Sequence, residues 1–168
     1  LDNLISGSSS DGIDLGDAGA STGTSIQGNL IGVQADGVLN LGNTGHGILI
    51  GNGGTANNTL IGGTAAGQGN TISFNGGDGI FLSASTSVAI VGNSIFSNTG
   101  LGIDLGTDGV TANDAAPDGD AGANNLQNFP VLTRAVTNAS SRLAAGGTLT
   151  GVASTWFRVE IFSNVAGD

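Results

Sequence analysis

Asn70-Thr71-Ile72-Ser73-Phe74-Asn75-Gly76-Gly77-Asp78-Gly79-Ile80-Phe81-Leu82 is a frame that this chain repeats. It returns as Asn93-Ser94-Ile95-Phe96-Ser97-Asn98-Thr99-Gly100-Leu101-Gly102-Ile103-Asp104-Leu105, and occurs earlier as Asn3-Leu4-Ile5 running to Gly12-Ile13-Asp14-Leu15. A stretched copy opens at Asn29-Leu30-Ile31 and reaches Gly47-Ile48-Leu49-Ile50. In three copies the first isoleucine precedes the glycine of the Gly-Ile pair by seven residues, and in the stretched copy by sixteen. Nine added residues that leave both flanks intact predict a loop extruded between two fixed strands. Successive Gly-Ile marks are 35, 32 and 23 residues apart, inside the period range of stacked-repeat architectures.

A third recurring segment is Ser25-Ile26-Gln27-Gly28, with apparent counterparts at Thr59-Leu60-Ile61-Gly62 and Ala89-Ile90-Val91-Gly92. Each full coil thus carries three short strand candidates. β-Branched runs bounded by Gly and Asn are strand-and-turn signals, not helix signals. Strands this short form no stable sheet alone, but stacked on their own copies they pair in parallel and turn alternate side chains inward. The predicted inward ladders are Ile5, Ile31, Ile72 and Ile95; Ile13, Ile48, Ile80 and Ile103; and Leu15, Ile50, Leu82 and Leu105. Full burial of each such side chain is worth roughly 1.5–3 kcal/mol. Asn3, Asn29, Asn70 and Asn93 recur at one turn position, where stacked amides can bond from rung to rung. A polar ligand stripe is the functional alternative there. Residues 17–24 read as a small-residue turn, 33–39 as a hairpin or extruded loop around Asp36-Gly37, and 63–69 as a plain loop. Those loops are the natural place for partner contact.

The chain has 168 residues, 32 of them glycine, and no cysteine, methionine or tyrosine. Dense Gly, Ser, Thr and Asn can mean disorder, but disordered chains lack hydrophobic residues, and here 38% are hydrophobic at recurring positions. Thirteen acidic side chains face three basic ones, Arg134, Arg142 and Arg158, for a net charge of −10. That balance argues against binding nucleic acid or an anionic membrane, which need a cationic face. It suits solubility, metal binding or a calcium-rich exterior. Without cysteine there is no disulfide framework and no thiol chemistry. No apolar run approaches the roughly 18 residues of a membrane span, so no membrane insertion is expected. The sequence starts at Leu1 without a signal peptide and reads as a mature segment or a fragment of something longer.

Asn58-Thr59-Leu60-Ile61-Gly62-Gly63-Thr64-Ala65-Ala66-Gly67-Gln68-Gly69-Asn70-Thr71-Ile72-Ser73 resembles the signature of right-handed parallel β-helix repeat proteins, found in large secreted bacterial surface proteins. Asn124-Asn125-Leu126-Gln127-Asn128-Phe129-Pro130-Val131-Leu132 is similar to the junction that follows the helix in many of them. The resemblance covers nearly the whole chain and is specific for architecture. It implies an extracellular or cell-surface location and an adhesive or structural role.

After Leu105 the composition changes. Residues 108–128 hold Asp108, Asn113, Asp114, Asp118, Asp120, Asn124 and Asn125, with Pro117 excluding a regular element. From Phe129 the pattern becomes β-like over 129–136, 147–152 and 156–162, the last two read as a hairpin around Ala153-Ser154-Thr155. Phe157, Val159 and Ile161 alternate with Arg158, Glu160 and Phe162, as in a half-buried antiparallel strand. The resemblance implies the start of an immunoglobulin-like sandwich, which needs about seven strands. Three are present, so the rest are expected further along the same chain or, by strand addition, from a neighbouring subunit.

Asp114, Asp118 and Asp120 with Asn124 are the candidate metal ligands. Hard cations take six to eight oxygens, and Asp118-Gly119-Asp120 lets alternate side chains converge, with Asp114 or Asn124 closing the ring. No glutamate stands where an EF-hand needs one. Calcium is the cofactor this implies, stiffening the joint between helix and sandwich; a solvated acidic linker is the alternative. Asp14 and Asp104 share the position in Gly-Ile-Asp-Leu and faintly resemble calcium-binding nonapeptide repeats, but the middle copies carry Leu49 and Phe81.

Many parallel β-helices are polysaccharide lyases or hydrolases. No lysine exists and no arginine precedes Arg134 to serve a lyase. Hydrolysis needs two carboxylates about 5–10 Å apart, whereas Asp14 and Asp104 are expected three coils, roughly 14 Å, apart. His46, between Gly45 and Gly47, has no partner mapped by sequence. Asn57-Asn58-Thr59 and Asn138-Ala139-Ser140 fit a glycosylation pattern and read as coincidence.

The sequence therefore predicts an all-β chain. Residues 1–107 form three to four coils of right-handed parallel β-helix, 108–128 an acidic linker, and 129–168 an incomplete, antiparallel Ig-like sandwich. It predicts a non-enzymatic extracellular structural or adhesive segment, a rigid spacer or a subunit of a cell-surface filament or layer. Its expected partners are copies of itself, neighbouring domains of the same chain or surface glycans. The competing reading is the scaffold of a carbohydrate-active enzyme or carbohydrate-binding module.

Overall fold

A computed structural model describes residues 2–17, 19–106, 109–137 and 142–162. The strands fall into repeats. The first holds β1 (Leu4–Ile5), β2 (Ile13–Leu15), β3 (Ala20–Thr22) and β4 (Ser25–Ile26). The second holds β5 (Leu30–Ile31), β6 (Ile48–Ile50), β7 (Thr55–Asn57) and β8 (Leu60–Gly62). The third holds β9 (Thr71–Ser73), β10 (Ile80–Leu82) and β11 (Ala89–Val91), and the fourth β12 (Ser94–Phe96) and β13 (Ile103–Leu105). Beyond them lie β14 (Val131–Thr137) and β15 (Leu143–Thr148).

Each strand of the repeats pairs with its counterpart in the next repeat, always in parallel. The sheets run β1-β5-β9-β12, β2-β6-β10-β13 and β4-β8-β11, with a smaller pair β3-β7. The registers place Ile5 beside Ile31, Ile31 beside Ile72 and Ile72 beside Ile95. The other two predicted ladders form in the same way, from Ile13 to Ile103 and from Leu15 to Leu105. The molecule is all-β, built of parallel sheets stacked repeat upon repeat, with a short antiparallel pair near its C-terminal end.

The core lies between these sheets. Ile31, Ile48, Ile50, Ile72, Ile80 and Leu82 are completely buried. Among the described residues the rungs at the two ends of the stack have a paired neighbour on one side only, and there Ile5 and Ile95 are partly buried and Ile103 is 44% exposed. Position in the stack, not residue type, sets the burial.

Two readings of the repeat are corrected. Residues 17–24, expected as a turn, contain β3, which pairs Ser21 with Ala56 of β7. Its Ala-Ser-Thr composition carries no hydrophobic alternation, and the residue opposite Ser21, Ala56 of the next repeat, is fully buried. In the third sheet Ile26 pairs with Ile61 and Ile61 with Ile90, so Gly62 sits beside Val91. Alignment on the terminal glycine is therefore one residue off in the middle copy. The inserted loop after β5 is extruded as expected: Val33 bridges Asn40 antiparallel, and Gln34 N–H donates to the Leu39 carbonyl at 2.8 Å. Within it the N–H groups of Leu39 and Val38 hold the Asp36 carboxyl below its ordinary value.

Residues 109–128 fold back on the repeats. A turn at Ala123–Leu126 buries Ala123 against the core and packs Leu126 beside it. The Asn124 side chain accepts from the Val88 N–H at 2.9 Å and donates to the Val88 carbonyl at 2.7 Å, while Asn124 N–H donates to the Ser85 carbonyl. An amide is the side chain able to copy a peptide group, so Asn124 extends the pairing beside β11, an edge strand among the described residues.

The C-terminal hairpin is also corrected. β14 pairs antiparallel with β15, Val131 opposite Thr148 and Thr137 opposite Leu143. Residues 156–162, expected as a strand paired with 147–152, take part in no sheet among the described residues. The expected alternation fails there too. Val159 and Ile161 are exposed, and the half-buried Glu160 turns toward the repeats, accepting from the Gly92 N–H at 2.8 Å.

Candidate functional site

The repeat builds polar columns as well as apolar ones. Asn3 donates from Nδ2 to Asn29 Oδ1 at 2.9 Å, Asn29 to Asn70 at 3.0 Å, and Asn70 to Asn93 at 2.8 Å. Asn29, Asn70 and Asn93 are all buried. The recurring asparagine thus joins rungs from within and offers no ligand stripe. A second column, missed in the sequence, runs from Asn43 to Asn75 and from Asn75 to Asn98, each at 2.8 Å. Its signal was present: each of these asparagines stands four residues before the glycine of a Gly-Ile mark.

A third column occupies the position immediately before that glycine, in the order Asp11, His46, Asp78 and Leu101. Asp11 Oδ1 accepts from the His46 N–H, and Asp78 Oδ1 accepts from the Leu101 N–H, both at 2.6 Å. His46 Nδ1 accepts from the Asp78 N–H at 3.0 Å and lies 3.1 Å from Asp78 Oδ2, while its ring stacks on Phe81 with centroids 4.7 Å apart. His46 is therefore partnered, contrary to its sequence reading. Each Asp replaces, through its side chain, a backbone acceptor for the next rung. Among the described residues no serine or threonine hydroxyl is hydrogen-bonded to the imidazole, so the pair lacks the nucleophile of a hydrolytic triad.

Asp14 and Asp104 sit at opposite ends of the β2-β6-β10-β13 sheet, separated by Leu49 and Phe81. They do not converge. An apolar cleft between the last repeat and the C-terminal segment is lined by Ile90, Ile95, Ile103, Val159 and Ile161. Its two charged lining residues, Arg158 and Glu160, are spent on each other at 2.9 Å.

The acidic candidates do converge. One carboxylate oxygen from each of Asp114, Asp118 and Asp120 lies within 4.8 Å of the other two. Asp114 and Asp120 are exposed and Asp118 is buried. The loop carrying them is closed at its base. Asn113 and Phe129 exchange hydrogen bonds of 2.8 and 2.9 Å, and the buried Asn128 accepts from Asp114 N–H at 2.9 Å and donates to its carboxylate at 3.0 Å. Asn124, the fourth residue expected from the sequence, has both polar side-chain atoms committed to Val88. The expectations at Asp108 and at Asn138-Ala139-Ser140 fall outside the described residues. Asn57, in the other glycosylation-like triplet, accepts from the Thr86 N–H at 2.9 Å.

No helix among the described residues is long and apolar enough to cross a membrane. No family model, no curated protein and no solved structure matches the chain.

Proposed function

We propose that this chain is an extracellular structural or adhesive segment, a rigid spacer or a subunit of a cell-surface filament or layer. In this reading the repeats wind as a right-handed parallel β-helix, and the antiparallel strands that follow belong to an Ig-like sandwich. The observation that carries it is the unbroken column from Asn3 to Asn93 beside fully buried isoleucine ladders. The buried asparagines join each rung to the next, which suits a body that must resist bending and shear. The net charge of −10 keeps such a body soluble and directs it away from nucleic acid. Among the described residues the outermost strands of the parallel sheets pair on one side only, an arrangement that suits self-association or neighbouring domains as partners.

The test is negative-stain microscopy with light scattering on the purified chain across a concentration series. Filaments, sheets or concentration-dependent oligomers are the expected result. A monodisperse monomer at every concentration overturns the assembly-subunit form of the proposal, and turnover of an acidic polysaccharide overturns the structural reading altogether. The second reading, a carbohydrate-binding or carbohydrate-active scaffold, is favoured by one observation: the partly exposed His46, beside the buried Asp78 and stacked on Phe81. Glycan-array binding that disappears in His46→Ala supports that reading.

A further inference from the structure

We infer that Asp114, Asp118 and Asp120 form a calcium site that fastens loop 113–129 over the last repeats. The spacing is that of a shared ion: one oxygen from each carboxylate lies within 4.8 Å of the others, and calcium–oxygen bonds are about 2.3–2.6 Å. Clusters of surface acids are ordinary, and the distinguishing observation is Asp118. It is only 6% exposed, and its Oδ1 has no hydrogen-bond partner among the described residues. Burying an unpartnered carboxylate oxygen is unfavourable, and setting the Asp118 carboxylate beside two more adds repulsion. Arg158 brings no relief, because its guanidinium is engaged by Glu160. A divalent cation removes both penalties at once.

The donor set selects the ion. Three carboxylates, with no His or Cys among them, suit a hard cation and not a transition metal. An irregular loop meets calcium's variable coordination more readily than magnesium's near-ideal octahedron. Asn124 is clasped on Val88, and that clasp gives the ion its consequence. The same loop carries Asp114, Asp118 and Asp120 and the residues Asn124 and Ala123 that cover the stack. Closing the carboxylates around one ion draws the loop together and holds the cover in place.

Isothermal titration of the full chain with calcium chloride, in chelator-treated buffer, tests this together with thermal unfolding in calcium or EGTA. The expected result is one saturable site per chain with Kd of about 10⁻⁴–10⁻³ M and a calcium-dependent rise in unfolding temperature. Asp118→Asn and the exposed Asp120→Asn each weaken binding about tenfold or more, with unchanged circular dichroism. Asp36→Asn, in the extruded loop of the second repeat, binds as the parent does. Absence of calcium heat and of any thermal shift up to about 10 mM, or parental affinity in both cluster variants, overturns the site. Equal binding of magnesium overturns its assignment to calcium. Ion binding is read on single chains, so its failure is distinct from failure of the assembly proposal.

Discussion

The Asn70 side chain donates to Asn93 Oδ1 at 2.8 Å across one rung, although 23 residues separate the two in sequence. Its second Nδ2 hydrogen goes to the Ile26 carbonyl at 2.9 Å, and its Oδ1 accepts from both the side chain and the N–H of Asn29. One amide therefore joins its own repeat to each of the other three, with 1% of its surface exposed.

Asn70→Ala is expected to cost about 2–4 kcal/mol, because it leaves several buried partners unpaired. Asn3→Ala, at the exposed end of the same column, is expected to cost under about 1 kcal/mol. Urea denaturation of both variants checks this. Equal losses would show that the column is not a buried network.

Gly32 and Gly67 separate two roles of glycine. Both have positive φ, +82° and +77°, but a Cβ at Gly32 would overlap the Ser73 carbonyl oxygen of the next rung, whereas Gly67 has open space. Gly67→Ala should cost about 1 kcal/mol from backbone conformation alone. Gly32→Ala should cost more than about 2 kcal/mol, since the rungs must also part. Thermal unfolding of the pair distinguishes conformation from close approach.

Ile72 and Ile103 share a residue type and differ in place. Ile72→Ala empties a site that is completely buried and should cost about 2–5 kcal/mol. Ile103, 44% exposed on the final rung, should lose less than about 1 kcal/mol on the same change. Similar losses would mean that another part of the protein covers the last rung in solution.

Glu160 makes the docking of the C-terminal segment pH-dependent. The Gly92 N–H, with a smaller contribution from Arg158, holds its carboxyl below the ordinary value of 4.5. A depressed carboxyl contributes stability above its unfolded value and loses it as pH falls through the folded value. Hydrogen exchange, corrected for intrinsic rates, should show Gly92 protected near neutrality and deprotected below the ordinary carboxyl value. Glu160→Ala should abolish that pH dependence.

Much of the repeat region is legible in the sequence. The three apolar ladders and the first asparagine column occupy the predicted registers because each residue's partner is its own counterpart one period away. The extruded loop after β5 is legible for the same reason, as an excess over a constant frame. The second asparagine column and the Asp11–His46–Asp78 column obey that logic too. They are harder to see because isoleucine and glycine dominate the repeat and mask polar positions at equally constant offsets. β3 and β7 escape because Ala, Ser and Thr carry no alternation, and their pairing rests on burial supplied by a neighbouring repeat.

The candidate site is legible only in part. Asp114, Asp118 and Asp120 stand out as residue types, yet nothing in their spacing shows Asp118 buried and Asp120 exposed. Asn124 has the same oxygen chemistry as a metal ligand and so groups with them in sequence. Val88, which claims its amide, lies 36 positions away.

By itself the sequence determined the period of this protein, the registers of the β1-β5-β9-β12 and β2-β6-β10-β13 sheets and the ladders that face inward. In a repeat each rung's environment is a copy of the rung itself, so local pattern carries the tertiary contact. Tertiary structure alone decided the arrangement of the described residues beyond the repeats: the β14–β15 pairing, the Glu160 contact with Gly92 and the closed acidic loop. Those residues have no second copy to pair with, so their partners depend on the path of the whole chain and on which edges of the repeats remain uncovered.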